Sequence, residues 1–225
     1  MAEVMSAGQA VPIVSLETRA DRWLLGLYFA LVIYLIVPLY AVVHEGGHAL
    51  GYVLAGYQVR GFFISPIMSQ VFGLYPPGLN SRQGLISAAG PAAGLLLGYL
   101  TAWLYLRKRR SWGLWGDSAL LMMMWATLMG EPGYLISGSV GNFSDPQQIA
   151  VHLGVSRWAV CLAGVGLVML NLRWVRMAFA RWRRTFAPES QPRQLGSVVN
   201  TFLLCIVLIS IPYWIPSLFF IARYP

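Results

Sequence analysis

Residues 23–56 read WLLGLYFALVIYLIVPLYAVVHEGGHALGYVLAG, and this stretch decides the class of the protein. Its first 21 residues carry no charge, which is about the length of helix that crosses the hydrocarbon core of a bilayer. A single helix over all 34 residues would be about 51 Å long, so it must tilt, protrude or bend at Pro38. We predict a membrane-spanning helix with a polar motif near its carboxyl end.

The composition of the whole chain agrees with a membrane protein. Hydrophobic residues make up 57% of the 225 residues and charged residues only 11%, against roughly a quarter charged in a soluble domain. Charge-free runs of 23 and 28 residues occupy 84–106 and 195–222. These features exclude a soluble globular protein, a disordered chain and a disulfide scaffold. Cys161 and Cys205 both lie in apolar runs, where we expect small buried hydrophobic side chains.

We predict an all-α membrane protein with about five transmembrane helices in one polytopic domain, residues 23–225, after an N-terminal tail at 1–22. The segment 57–83 is rich in β-formers and broken by Gly and Pro, so it is expected to form a short hairpin or β-like re-entrant loop after the first helix. The spans are expected at about 23–56, 84–106, 117–137, 157–175 and 196–222.

The basic residues predict how the chain sits in the membrane. The chain carries 16 Lys and Arg residues and a net charge of +8, and most of these residues cluster at the ends of apolar runs. With a cytoplasmic N-terminus, 12 of them lie on the cytoplasmic side and four outside, as the positive-inside rule requires. We therefore expect an integral multi-pass protein of the plasma membrane. A nucleic-acid partner is not expected, since that would need a basic face on a folded domain.

The motif His44-Glu45-Gly46-Gly47-His48 carries the chemistry. On a helix, residues four apart share a face, so both imidazoles can bind one Zn²⁺. Glu45 lies about 100° round the helix, where it can take a proton from an attacking water. Ionisable residues inside an apolar run are costly and usually functional. The alternative is a polar patch that hydrogen-bonds to a neighbouring helix.

A catalytic zinc site needs a third protein ligand. Five acidic or imidazole side chains lie downstream of the motif, and two of these, Asp117 and Glu189, belong to the predicted cytoplasmic side, away from the motif. Three candidates remain: Glu131, Asp145 and His152. Glu131 precedes Pro132 and is also readable as a plain helix terminus at the membrane interface. Asp145, followed by Pro, is also a good helix start.

The motif and the segments that follow it resemble those of a known protein family. HEGGHALGYVLAG at 44–56, a Gly-rich loop and then SAAGPAAGLLLG at 87–98 are similar to the site-2 protease family of intramembrane zinc metalloproteases, in its short branch without accessory domains. The resemblance covers about residues 36–150. It implies that His44 and His48 bind zinc, that Glu45 is the general base, and that a later Asp is the third ligand. GNFSDP at 141–146 is similar to the third motif, which implies Asp145.

We therefore expect a zinc-dependent endopeptidase that hydrolyses membrane proteins or peptides within the lipid bilayer. An oxyanion donor is not assigned, with Asn142 as a weak candidate. One alternative is a non-proteolytic membrane zinc protein, a pseudoprotease. Another is a small transporter, although five spans without an internal repeat offer no inverted halves. Small residues at Gly90, Gly94 and Gly98, and at Gly47 and Gly51 on the first helix, are expected to serve close helix packing. Met122–Met124 are expected to fill core or face lipid.

Overall fold

The computed structural model describes residues 14–63, 69–74, 80–108, 110–139 and 145–223, with side chains as far as residue 208. Helices dominate these ranges, and one pair of strands interrupts them. In chain order the elements are α1 (Arg19–Leu54), β1 (Gln58–Phe63), β2 (Gln70–Leu74), α2 (Ser81–Arg107), α3 (Gly113–Leu128), α4 (Gly130–Gly138), α5 (Asp145–Leu153), α6 (Arg157–Phe186) and α7 (Pro192–Arg223).

Helix α1 begins four residues before the predicted span because Thr18 caps it. The Thr18 hydroxyl accepts the Asp21 N–H at 3.1 Å, and the Asp21 carboxylate accepts the Thr18 N–H at 3.1 Å, a reciprocal capping box. The helix continues through Pro38 and ends before Gly56, whose positive φ of 79° turns the chain away. Its 36 residues extend about 54 Å, longer than a bilayer core.

Within the described residues, four helical segments are long and apolar enough to cross a membrane: Arg19–Leu54, Ser81–Arg107, Gly113–Gly138 and Arg157–Phe186. They coincide with the first four predicted spans and extend most of them by several residues. The fifth predicted span falls on α7, which contributes a shorter apolar helix, Pro192–Leu208, over its described side chains. A mostly helical membrane protein is therefore supported, and the total of five spans stays a prediction.

The third span contains a break that divides it into α3 and α4. Pro132 lies in the first turn of α4 and has no N–H to donate to the Leu128 carbonyl four residues earlier. The buried Asn171 of α6 donates its side-chain amide to that carbonyl instead, at 2.7 Å. Glu131 lies at this helix boundary, in the first turn of α4, but its side chain is fully buried and is not that of a plain exposed terminus.

The predicted close packing of small residues is confirmed between α1 and α2. A Cβ added at Gly47 would overlap the Ala89 carbonyl, and one at Gly51 would press on Ile86. The backbones therefore approach as closely as they do only because these positions lack side chains. The helix that carries the motif is thereby held directly against α2.

The basic residues gather at the end of the bundle where α1 begins. Arg181 of α6 donates to the carbonyls of Leu106 and Lys108 at 2.9 and 2.5 Å. Lys108 pairs with the buried Asp117, which lies at this end as expected. Burial lowers the pKa of the Lys108 ammonium below its ordinary value, while Asp117 acts in the opposite sense. Backbone pairing of Val14 with Phe186, at 2.6 Å, ties the start of the described chain to the same end.

The core side chains agree with the sequence prediction at the methionines and at Cys205, but not at Cys161. The three methionines at 122–124 are buried in the main hydrophobic cluster. Cys205 is buried in that cluster as well, whereas Cys161 is only half-buried, and both are free thiols. The methionines therefore fill the core.

The segment after α1 forms an antiparallel hairpin, as predicted. β1 pairs with β2 through partners such as Phe62 and Val71, with a bulge between Val59 and Gly61. The alternation of Ile67, Ser69 and Val71 in the sequence is typical of a strand. It continues in β2 from Gln70 to Leu74, whereas Ile67 lies outside the described residues. The hairpin contacts α1 beside the end that carries the motif.

Candidate metal centre

Helix α1 presents His44 and His48 on one face, one turn apart, as the spacing predicts. Both side chains are buried, each 8% exposed. Their Nε2 atoms lie 3.2 Å apart and point toward the same small space. The i and i+4 positions of a regular helix are sufficient to produce this pairing.

Asp145, the first residue of α5, completes the group. Its Oδ2 lies 3.1 Å from His48 Nε2 and 3.4 Å from His44 Nε2. Ligand atoms about 2.0–2.1 Å from a tetrahedral ion lie roughly 3.3–3.4 Å from one another. The three side chains therefore have the spacing of three corners of a tetrahedral site, and this group could hold a metal ion.

The second nitrogen of each imidazole fixes its tautomer. His48 Nδ1 lies 2.8 Å from the backbone carbonyl of Ile86, which can only accept, so this nitrogen carries a hydrogen. His44 Nδ1 lies 2.8 Å from the Glu131 carboxylate, to which it likewise donates. In neutral imidazoles, both Nε2 atoms then hold lone pairs.

Those two lone pairs face each other and the carboxylate of Asp145. Three acceptors within 3.1–3.4 Å of one another repel unless positive charge lies between them. A second contact that orients the non-ligating nitrogen is also the usual arrangement around metal-binding histidines. The arrangement therefore suits a bound metal cation.

The three candidates for the third ligand have different surroundings. Asp145 meets both histidines, whereas Glu131 contacts His44 on the nitrogen that points away from the group. His152 accepts the Asn80 N–H at 3.2 Å through Nδ1 and pairs with Gln148 at 3.1 Å. The structure therefore does not bring His152 to the histidine pair, and it gives Glu131 the position of a residue that orients His44.

Two features of the group carried no clear signal in the sequence. Tyr134 donates its hydroxyl to Asp145 Oδ2 at 3.2 Å and accepts the Asp145 N–H at the same distance, which holds that carboxylate in place. Ile86 contributes only a backbone carbonyl, which no side-chain pattern can reveal. The sequence did indicate a functional role for Glu131, because it is a charged residue in an apolar run. That role was predicted to be metal binding, whereas in the structure Glu131 contacts His44 Nδ1.

Glu45 lies next to this group and beneath the hairpin. The residue is 5% exposed, and the backbone of Val71 in β2 lies close enough to interact with its carboxylate. The residue is thus buried beside the two histidines while a strand passes directly over it. Asn142, the weak candidate for an oxyanion donor, lies outside the described residues.

No protein-family model matches the chain, and comparisons with curated proteins and with solved structures gave no significant match.

Proposed function

We propose that this protein is a zinc-dependent membrane endopeptidase that cleaves membrane proteins or peptides. The observation that carries the proposal is the convergence of His44, His48 and Asp145 at tetrahedral spacing, with Glu45 buried beside them. The resemblance of its motifs to the site-2 protease family points to the same activity.

The three ligand side chains would hold the zinc ion, which when bound supplies Lewis-acid chemistry by polarising a carbonyl and lowering the pKa of water. Glu45 acts as the general base that takes the proton from the attacking water. It then returns that proton to the amine nitrogen of the departing peptide. Glu131 and the Ile86 carbonyl hold the imidazoles in the tautomer in which Nε2 is free.

The substrate would approach beside the hairpin. A peptide bond inside a helix has its carbonyl engaged, so a transmembrane substrate must unwind locally before cleavage. β2 passes over Glu45 through Val71, and an extended peptide can add to a strand edge by backbone hydrogen bonds. We infer that the hairpin holds the unwound segment in reach of Glu45.

The deciding experiment combines metal analysis with cleavage of a panel of single-pass membrane proteins. The purified wild type should carry about one zinc, and Glu45→Gln should keep it while losing roughly 10²–10⁴-fold in turnover, because an amide cannot accept the proton. Glu189→Gln, an exposed carboxylate beyond the far end of α6, is the matched control and should stay active. Cleavage by Glu45→Gln at the wild-type rate would contradict the assignment, and bound zinc without turnover on any substrate would indicate a non-proteolytic zinc protein.

A further inference from the structure

A cavity of about 710 Å³ lies between α6 and α7 at the basic end of the bundle. It exists because α7 packs on α1 while α6 packs mainly on α3 and α4, and no Cα atoms of α6 and α7 come within 8 Å in the described part of the chain. The floor of the gap is formed by α1 and α3. Its volume falls within the roughly 300–1,000 Å³ of ligand pockets.

The walls of this cavity are mainly apolar and include several aromatic rings. Phe29, Trp125 and Phe202 line it from three different helices, and the rings of Trp125 and Phe202 meet edge to face at 5.6 Å. Apolar space between two apolar helices of a membrane protein fills with hydrocarbon more favourably than with water. The chemistry of the walls therefore suits acyl chains.

Three arginines of α6 line the same cavity: Arg176, Arg183 and Arg184. Arg183 donates to the Ser190 carbonyl and hydroxyl at 2.5 and 3.2 Å, so it is partly engaged. Arg176 and Arg184 are exposed, and neither has a hydrogen-bond or ion-pair partner among the described residues. None of the described side chains that line the cavity is acidic. The cavity thus combines an apolar interior with unneutralised positive charge.

We propose that this cavity binds an anionic phospholipid, with its phosphate-bearing head group against Arg176 and Arg184 and its acyl chains between α6 and α7. Guanidinium groups recognise phosphate through paired, charge-assisted hydrogen bonds. Basic pockets between transmembrane helices are a known mode of anionic-lipid recognition. A zwitterionic lipid brings its own cation beside the phosphate, so it gains less from these arginines.

The test for charge uses delipidated protein in detergent, titrated with phosphatidylglycerol or phosphatidylcholine of identical chains, with bound lipids counted by native mass spectrometry. Phosphatidylglycerol should bind at least about tenfold more tightly. The double variant Arg176→Gln/Arg184→Gln should lose that preference, whereas Arg173→Gln should keep it, because Arg173 is exposed on the same helix but does not line the cavity. Equal affinity for the two lipids, or an unchanged preference in the double variant, would overturn the proposal.

The test for the apolar part fills the cavity. Ala180 lines it, whereas Ala163 is exposed elsewhere on α6. Ala180→Trp should therefore weaken phosphatidylglycerol binding at least several-fold, and Ala163→Trp should leave it unchanged. Equal binding by both tryptophan variants would place the lipid elsewhere. A further test adds a hydrophobic single-pass helix or excess lipid of the same charge. If only the helix displaces the bound lipid, the cavity binds a protein partner instead.

Discussion

Two glycines of α2 show why single residues matter so much around the candidate metal centre. A Cβ added at Gly90 would overlap the imidazole of His48, and one at Gly94 would overlap the carboxylate of Glu131. The ridge of small residues therefore does more than bring helices together. It leaves the room in which a ligand imidazole and the carboxylate that orients the other imidazole lie buried.

At this scale the third ligand can be tested directly. Asp145→Ala should lower zinc occupancy about as much as His48→Ala does, because both remove one of three converging ligand atoms. His152→Ala is the matched control and should keep its zinc, since that imidazole bonds Asn80 and Gln148. Zinc content of the purified variants is the measurement. Full zinc occupancy in Asp145→Ala would show that Asp145 is not a ligand and serves only as the first residue of α5.

Glu131→Gln should bind zinc with an affinity between those of the wild type and Asp145→Ala. The amide oxygen can still accept from His44 Nδ1, but the negative charge that strengthens this imidazole as a ligand is lost. Changes to such outer partners typically cost about 10–100-fold in metal affinity or activity. A competition titration with a zinc chelator measures the affinity, and wild-type affinity in Glu131→Gln would deny Glu131 this role.

At the scale of elements, the break between α3 and α4 determines where Glu131 points. The break leaves the Leu128 carbonyl without a helical partner, and Asn171 supplies one while its own carbonyl oxygen accepts the Tyr99 hydroxyl at 2.6 Å. One buried amide thus links α2, α3 and α6. We infer that this link stabilises the geometry in which α4 delivers Glu131 to His44.

Removing that amide should destabilise the protein. Asn171→Ala leaves the Leu128 carbonyl buried and unpaired, which should cost about 1–3 kcal/mol of unfolding free energy. Asn200→Ala, at an exposed position of α7, should change it by no more than about 0.5 kcal/mol. Unfolding in detergent followed by circular dichroism gives the comparison.

A double variant tests whether the unpaired Leu128 carbonyl causes the loss of stability in Asn171→Ala. Pro132→Ala restores an N–H that can reach the Leu128 carbonyl, so Asn171→Ala should cost less in that background. An identical cost in both backgrounds would show that the loss comes from packing and not from the orphaned carbonyl.

At the scale of the whole molecule, the cluster of basic residues around Arg181 and Lys108 and the candidate metal centre lie at opposite ends of the bundle. The contacts of Arg181 and Lys108 gather at the end where α1 begins, whereas His44 and His48 lie near the other end of the same helix. The positive-inside rule then predicts a cytoplasmic basic end and a centre that opens toward the exterior.

Reporter fusions measure this orientation. Fusions after Arg110 and Arg184 should read cytoplasmic, and one after Leu74 should read exterior. A fusion truncated after Arg22 lacks any span and serves as the cytoplasmic control. A cytoplasmic reading after Leu74 would reverse the orientation and move the centre to the other face, leaving the chemistry of His44, Glu45 and His48 as proposed.

The sequence by itself determined the features that depend on local order. Hydrophobic runs placed the membrane-spanning helices, because a bilayer requires a minimum apolar length. The four-residue spacing placed His44 and His48 on one face, because helix periodicity is a local property. Gly and Pro punctuation around 57–83 was sufficient to indicate the hairpin, although not where β2 begins.

Only the tertiary structure decided which distant residues meet those local features. Asp145 reaches His44 and His48 across 101 and 97 positions of the chain, and Glu131 reaches His44 across 87. The sequence left Asp145, Glu131 and His152 as competitors because ligand chemistry alone admits all three. The packing of α5 against α2 and of α4 against α6 separates them, and no local sequence pattern specifies either contact.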